Sequence, residues 1–232
     1  MNFITRYLRP LIHHPITHHT YSTFLDILSP PYCASCRRLL LTRTILCTLC
    51  RGAIRPIVSA TIALTQQHEM HVMAIMEYRD PLKHLILTKS RSDIVTAYDI
   101  GHLMFEYTNI RHLNFDYIVP IPLHWTRYAW RGFNQAEEMS KILAHKSGKP
   151  LVHLIKRKRS TPFQSSLASF KRADNVKDVF AINAHDPALY QGKHLLLVDD
   201  LMTTGSTLKE AGKTLLKLKP RSITAVVACR VL

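Results

Sequence analysis

Apolar and polar positions along the chain predict an alternation of strands and helices from residue 70 onward. Short apolar runs are typical of strands buried on both faces, and apolar positions three and four residues apart are typical of helices. On this basis we predict strands over residues 70–78, 116–120, 195–198 and 223–231. The intervening helices are predicted over residues 82–88, 94–107, 133–145 and 206–218.

Two of these helices have a single apolar face. Its members are Ala136, Met139, Leu143 and Ala144 in the first, and Leu208, Ala211, Leu215 and Leu218 in the second. Buried strands that alternate with such helices are typical of a mainly parallel sheet covered by helices, so we expect an α/β fold. The stretch 151–182 is basic, rich in serine and without a clear period, which predicts a mobile loop or a hairpin.

The pattern divides the 232 residues into three parts. Residues 1–25 are predicted to be an N-terminal extension, residues 26–56 a cysteine-bearing module, and residues 57–232 the α/β domain. No apolar run approaches the roughly 18 residues that cross a bilayer, and the N-terminus lacks a signal-peptide core. We therefore expect a cytoplasmic protein without a membrane span, with a transit peptide as the alternative for the N-terminus.

Four of the five cysteines form two C-x-x-C pairs that are ten residues apart. Cys33 and Cys36 make the first pair, and Cys47 and Cys50 the second. Two such pairs complete the tetrahedral thiolate site that zinc prefers, so we expect a structural Zn²⁺. Disulfides or a redox C-x-x-C are the alternatives, which a reducing cytoplasm and the doubled motif disfavour. Arg37 follows the first pair, where zinc-binding turns often carry glycine.

Charge adds information about partners. The chain has 31 Lys and Arg against 16 Asp and Glu, a formal net charge of +15. Such an excess favours polyanionic partners such as nucleic acid, although a solvated basic face has the same composition.

The residues most informative about chemistry follow the strand predicted over 195–198. Asp199 and Asp200 can accept hydrogen bonds from two vicinal hydroxyls, directly or through a metal. A turn that leads into a helix comes next, made of Thr203, Thr204, Gly205, Ser206 and Thr207. Its hydroxyls and the helix N-terminus can hold a phosphate, and we expect Gly205 to let the backbone approach the ligand. The alternative is an ordinary capped strand–helix turn. The Gly-Lys-Ser/Thr element of a Walker A loop is absent.

This stretch resembles V-D-D-x-x-T-T-G-x-T, the signature of type I phosphoribosyltransferases. In that family the acidic pair binds the ribose hydroxyls of phosphoribosyl pyrophosphate (PRPP), and the following loop holds its 5-phosphate. The resemblance implies these roles for Asp199 with Asp200 and for residues 203–207, with Mg²⁺ accompanying PRPP.

Further blocks resemble those of the ComF family of competence proteins, in the same order. They are Y-x-x-P-L-K from Tyr78, V-P-I-P-L from Val119, R-G-F-N-Q from Arg131, T-x-x-Q from Thr161 and R-x-x-N-V from Arg172. The resemblance covers the chain from about residue 25 onward. It implies a type I phosphoribosyltransferase fold behind an N-terminal four-cysteine zinc module. Because the family is tied to DNA uptake, it also implies single-stranded DNA and competence-machinery proteins as partners.

The resemblance also singles out basic and polar residues outside the signature. Lys89, Arg127 and Arg131 are candidate pyrophosphate ligands, with a surface role as the alternative for Lys89 and Arg131. The stretch 151–182 supplies Arg157, Lys158, Arg159, Thr161, Gln164 and Arg172 as candidates for a flexible loop or a DNA contact. For its basic residues, keeping the loop soluble is the third possibility.

Two functions fit these residues. One is a ComF-type role in natural transformation, with a site for PRPP or another phosphorylated ribose and a single-stranded DNA surface. The other is transfer of phosphoribosyl to an unknown nucleobase or amine acceptor in nucleotide salvage or synthesis. We expect the first, leave catalysis open, and assign no catalytic residue.

Overall fold

The computed structural model describes residues 30–42, 44–57, 59–87, 94–123, 128–129, 132–158 and 178–232. The chain separates into two compact units, Met1–Ile54 and Arg55–Leu232. The predicted extension over residues 1–25 lies outside the described residues, and the domain boundary expected at residue 57 stays a prediction.

The first unit holds the four paired cysteines. Tyr32 and Leu39 form an isolated antiparallel bridge, and helix α1 follows over Thr48–Gly52. The bridge closes a tight turn that contains the first C-x-x-C pair, and α1 begins inside the second pair. Both pairs are therefore held by short, local structure.

The second unit is built on a five-stranded sheet with the order β1-β2-β7-β6-β3. Strand β1 is antiparallel to β2, and the other neighbours are parallel. The strands are β1 (Ala60–Ala63), β2 (Glu69–Glu77), β3 (Tyr117–Pro120), β6 (His194–Met202) and β7 (Ser222–Arg230). Strands β4 (Ile155–Arg157) and β5 (Phe180–Ile182) form a separate antiparallel pair, as the hairpin predicted over 151–182 requires.

Four helices belong to this unit in the described part of the chain. They are α2 (Leu82–Leu87), α3 (Ile94–Tyr107), α4 (Gln135–Ser147) and α5 (Ser206–Leu215). Helix α5 continues as a 3₁₀ turn over Leu216–Leu218, so the helix predicted over 206–218 is confirmed. No described helix is long and apolar enough to cross a membrane.

The core is made by the central strands and by helix faces that the sequence predicted. In β6 and β7 the residues from Leu195 to Val198 and from Ala225 to Cys229 are completely buried. Helices α3 and α4 pack closely, because a Cβ at Gly101 would lie 2.9 Å from the Cβ of Ile142. The predicted inward positions of α4 and α5 are buried, except that Ala144 is only half-buried.

Strand β6 extends beyond its predicted end. The apolar run stops at Val198, but backbone pairing with β7 continues to Met202, opposite Arg230. Asp199 and Asp200 therefore lie on the strand itself and not in the loop after it. The short strand β1 had no distinct apolar run and was not predicted.

A buried histidine fixes the start of β6. The Nδ1 and Nε2 atoms of His194 each lie 2.9 Å from a partner, the carbonyl oxygen of Asn114 and the hydroxyl of Thr224 respectively. Because a carbonyl only accepts, Nδ1 carries the proton and the Thr224 hydroxyl donates to Nε2. Burial, together with the charge of Arg221, lowers the pKa of His194, so the ring is neutral in the folded protein.

We expect this histidine to make folding stability depend on pH. Because its pKa is depressed only in the folded state, the unfolded chain binds a proton first as pH falls below about 6.5. The free energy that His194 contributes to folding is complete above that pH. It is lost as the pH falls toward the lower pKa of the folded state. A His194→Gln variant keeps a donor and an acceptor but does not titrate. Between pH 7.5 and 5, the free energy of unfolding in urea should therefore fall more steeply with decreasing pH for the wild type than for the variant. Equal slopes against pH would contradict this expectation.

Candidate metal centre and phosphate site

The four paired cysteines converge on one point in the first unit. The Sγ atoms of Cys33, Cys36, Cys47 and Cys50 all lie within 4.8 Å of one another, and those of Cys36 and Cys47 are 3.7 Å apart. Sulfur atoms bound tetrahedrally to Zn²⁺ at 2.3 Å are separated by about 3.8 Å. The predicted ligands are therefore brought close enough together to share one metal ion.

Backbone N–H groups point at these sulfurs. The Cys47 N–H donates to the sulfur of Cys33 at 3.3 Å, and the Cys50 N–H donates to that of Cys47 at 3.4 Å, where Cys47 caps α1. Burial opposes ionisation of Cys33, but such donors lower its pKa to about 7. Burial and the neighbouring thiols raise the pKa of Cys50 to about 12. Four thiolates this close need a cation between them, so the donor set fits a divalent metal.

The turn around the first pair keeps its shape without glycine. Arg37 has a φ of 61°, the left-handed conformation that glycine adopts at least cost. Its N–H donates to the carbonyl of Cys33 at 3.0 Å, and the Cys33 N–H donates to the carbonyl of Arg38 at 2.8 Å. The turn therefore closes through these two hydrogen bonds, with Arg37 in the conformation that glycine usually adopts.

At the carboxyl end of β6 the acidic pair meets the hydroxyl-rich turn. Asp199 and Asp200 are half-buried there, and the Asp200 N–H donates to Oδ1 of Asp199 at 2.9 Å. After the turn, the hydroxyls of Thr204 and Ser206 lie 2.6 Å apart at the N-terminus of α5. One strand–turn–helix unit thus holds carboxylates, hydroxyls and a helix N-terminus side by side, a combination that suits a sugar phosphate.

Gly205 has a left-handed backbone conformation, and its expected role of letting the backbone approach a ligand stays a prediction. Its φ is +74°, and a Cβ on it would lie 2.9 Å from Cδ1 of Ile62 and 3.1 Å from Cε of Met202. The missing side chain therefore faces the flexible ends of Ile62 and Met202, which can shift, and the positive φ is the main reason for a glycine here. Sequence reasoning missed Ile62, because the short strand β1 has no distinctive pattern.

The segment after β3 starts beside the acidic strand. Pro120 pairs with Val198, and the Ile121 N–H donates to the Val198 carbonyl at 2.9 Å. The buried side chain of Asn134 then donates through Nδ2 to the Ile121 carbonyl at 2.9 Å. This bond ties together the two ends of the segment that contains Arg127 and Arg131. Asn134 stood in the R-G-F-N-Q block without an assigned role.

The remaining predicted residues are only partly described. The guanidinium carbon of Arg157 lies 5.5 Å from the centre of the Phe180 ring, so this side chain packs on β5. Lys158 is exposed, and its N–H donates to the Val179 carbonyl at 2.8 Å. The others lie outside the described residues: Lys89, Arg127, Arg131, Arg159, Thr161, Gln164 and Arg172.

Comparison with known proteins identifies the family. A family model for the phosphoribosyl transferase domain matches residues 110–232. DNA utilization protein YhgH of Salmonella typhimurium is 30% identical over 212 residues, which cover 86% of this chain and 90% of that protein. Competence protein F of Haemophilus influenzae is 38% identical over 102 residues, 44% of each chain. The chain belongs to the ComF family.

The matched domain includes β3, β6, α5 and β7, so the predicted phosphoribosyltransferase fold of this ComF protein is confirmed. Among solved structures, a purine phosphoribosyltransferase from Pyrococcus horikoshii is 19% identical with a TM-score of 0.38. That alignment covers 59% of this chain and 83% of the other. The family likeness and the α/β topology, and not this distant structure, carry the assignment.

We expect the purified protein to hold about one zinc per chain. Changing Cys47 and Cys50 to Ser should remove the metal and unfold residues 30–54, because the binding energy of such sites is folding energy. Cys229→Ser is the matched control, since this thiol is buried in β7 and should leave zinc content unchanged. Metal analysis that finds no zinc in protein prepared under reducing conditions would contradict the assignment.

The packing of Gly205 predicts a specific loss of stability. Gly192 also has a positive φ, +69°, but a Cβ there meets nothing within 4 Å. Gly192→Ala should therefore cost only the left-handed strain, about 1 kcal/mol, whereas Gly205→Ala should cost somewhat more, about 1.5–2 kcal/mol, because the ends of the Ile62 and Met202 side chains must also shift. Urea unfolding measures both, and equal losses would show that Ile62 does not support the turn.

Proposed function

We propose that this ComF protein binds PRPP, or another phosphorylated ribose, at the carboxyl edge of its sheet and acts in the uptake or use of DNA. The observation that carries the proposal is the acidic pair of β6 followed at once by the hydroxyl-rich start of α5. Relatives named as a DNA utilization protein and a competence protein support the process.

In this proposal the two parts of the ligand have separate partners. Asp199 and Asp200 accept hydrogen bonds from the ribose hydroxyls, and their oxygens suit the Mg²⁺ that accompanies PRPP and offsets its charge. The 5-phosphate lies on the turn and on the positive end of the α5 dipole. The 2.6 Å separation of the Thr204 and Ser206 hydroxyls supports this role, because both oxygens already stand together at the helix N-terminus.

The pyrophosphate group requires cations beyond the turn. Lys89, Arg127 and Arg131 are the proposed ligands, because a guanidinium can bind two phosphate oxygens at once. The hydrogen bond between Asn134 and Ile121 supports the two arginines, since it returns their segment to the edge of the sheet that holds Asp199.

Single-stranded DNA and competence-machinery proteins are the proposed macromolecular partners. The net charge of +15 supports a polyanion, and the basic residues of the hairpin contribute to loop closure or to DNA contacts. These residues are Arg157, Lys158, Arg159, Thr161, Gln164 and Arg172. A four-thiolate metal centre suits a reducing compartment, so we place the protein in the cytoplasm.

The same pocket supports a second candidate function, phosphoribosyl transfer. The bond from C1 of the ribose to the pyrophosphate oxygen would break, pyrophosphate would leave, and a nitrogen of a nucleobase or amine would bond to C1 and lose its proton to solvent. No protein nucleophile is needed, and cations that hold the leaving group supply the stabilisation. Release of pyrophosphate from PRPP only when an acceptor is added would favour this candidate over a binding role.

The acidic pair should be essential for PRPP binding with Mg²⁺. Asn at positions 199 and 200 keeps the shape but removes the ionised acceptors, each worth roughly 1.5–3 kcal/mol, so affinity should fall at least about tenfold. The matched control, Glu137→Gln with Asp186→Asn, makes the same change in charge elsewhere. Calorimetric titration compares the three proteins, and absence of PRPP binding by the wild type would refute the proposed pocket.

A further inference from the structure

Cations gather at the opposite edge of the sheet, where the parallel strands begin. Lys193 precedes β6 and Arg221 precedes β7, and the Arg221 N–H donates to the Lys193 carbonyl at 2.8 Å. Lys219 joins them, because its carbonyl accepts from the Gly192 N–H at 2.9 Å. Lys149 lies beside β3, since the next residue, Pro150, accepts from the Ile118 N–H at 2.9 Å.

One carboxylate faces these cations. Oδ2 of Asp116 accepts from the His194 N–H at 2.8 Å. This hydrogen bond lowers the pKa of Asp116 most strongly. The positive charges of Lys193, Arg221 and Lys149 lower the pKa further. Three cations therefore lie near one carboxylate, and an oxygen of that carboxylate already accepts a hydrogen bond from a backbone N–H. In the described part of the chain none of the three forms an ion pair.

Two aromatic rings border the same cations. The centres of the Tyr117 and Tyr190 rings are 5.1 Å apart with an interplanar angle of 69°, and both residues are half-buried. Tyr117 directly follows Asp116, and the Tyr190 carbonyl accepts from the Lys193 N–H at 3.2 Å. Cations beside partly exposed aromatic rings are the combination by which proteins bind single strands, with phosphates on the cations and bases stacked on the rings.

We propose that this amino-edge patch binds single-stranded DNA. It consists of Lys149, Lys193, Lys219, Arg221, Tyr117 and Tyr190. The inference rests on the proposed role in DNA uptake or use. It assigns the DNA contact to this patch, which is distinct from the basic hairpin. A single strand suits the patch better than a duplex, because unpaired bases can leave the stack and contact the tyrosines.

The patch and the phosphoribosyl pocket lie at opposite ends of β6. Five residue steps of about 3.3 Å separate His194 from Asp199, a distance of about 16 Å. A DNA strand on the patch therefore leaves the acidic pair open, and both ligands bind at once. PRPP should not displace the DNA.

The test uses a matched pair of triple variants of the full chain. The patch variant is Lys149→Gln, Lys193→Gln and Arg221→Gln. The control variant is Lys146→Gln, Lys209→Gln and Lys213→Gln, which removes the same charge from exposed positions on α4 and α5. Fluorescence anisotropy with a labelled oligothymidine of about 20 nucleotides is followed across a salt series, and calorimetry follows PRPP.

We expect the patch variant to lose at least about tenfold in DNA affinity at low salt. Its slope of log affinity against log salt should be shallower by about 2, because each phosphate contact contributes about 0.7 to the slope and three cations are removed. The control variant should change both quantities much less, and PRPP affinity should stay unchanged in both. Tyr190→Leu should weaken DNA severalfold without changing the slope, because it removes stacking and no charge.

Several results would overturn the assignment, and they separate it from the proposed function. If the wild type binds DNA but the patch and control variants behave alike, the location is wrong and the DNA role stands. If PRPP displaces the DNA from the wild type, the two sites overlap and the location is again wrong. No DNA binding by the wild type at low salt would refute both. Should the triple variant not fold, Lys149→Gln alone must lower the slope by about 0.7, and an unchanged slope would count against the patch.

Discussion

Parallel backbone pairing of β6 with β7 is the constraint on which the other features of this ComF protein depend. The pairing runs from His194 opposite Ser222 to Met202 opposite Arg230, well beyond the apolar run of β6. It fixes Asp199 and Asp200 at one edge of the sheet and Lys193 at the other. Because the strand is buried on both faces over Leu195–Val198, a shift in register would move every one of these groups.

The two edges of the sheet differ in charge as a consequence. The carboxyl edge offers acids and hydroxyls from one strand–turn–helix unit, which suits ribose hydroxyls and a phosphate held by a helix N-terminus. The amino edge offers cations from three connecting segments around Asp116, which suits a polyanion that extends along the surface. In a chain with a net charge of +15, a half-buried acidic pair suits a ligand that brings hydroxyls or a metal with it.

The apolar pattern was enough to predict the central strands and the helices after them, and the doubled C-x-x-C motif predicted the four-cysteine cluster. These features depend on local sequence, since a buried apolar run predicts a strand and a doubled C-x-x-C predicts a metal site without information from distant residues. The features that it missed depend on distant partners. Ile62 lies against the turn at Gly205 from a strand more than a hundred residues earlier, and Asn134 closes a segment by its hydrogen bond to the carbonyl of Ile121. Neither contact leaves a periodic signal in the sequence.

PRPP is proposed to bind at the carboxyl edge and to leave the amino edge open. Backbone amide NMR of the labelled protein, titrated with PRPP and Mg²⁺, tests it most directly. We expect large shifts for residues 199–207 at the end of β6 and the start of α5, and small ones for residues 190–194 and 219–222. A single-stranded oligonucleotide added afterwards should shift the second group. Shifts from PRPP confined to the second group, or none at all, would contradict the account.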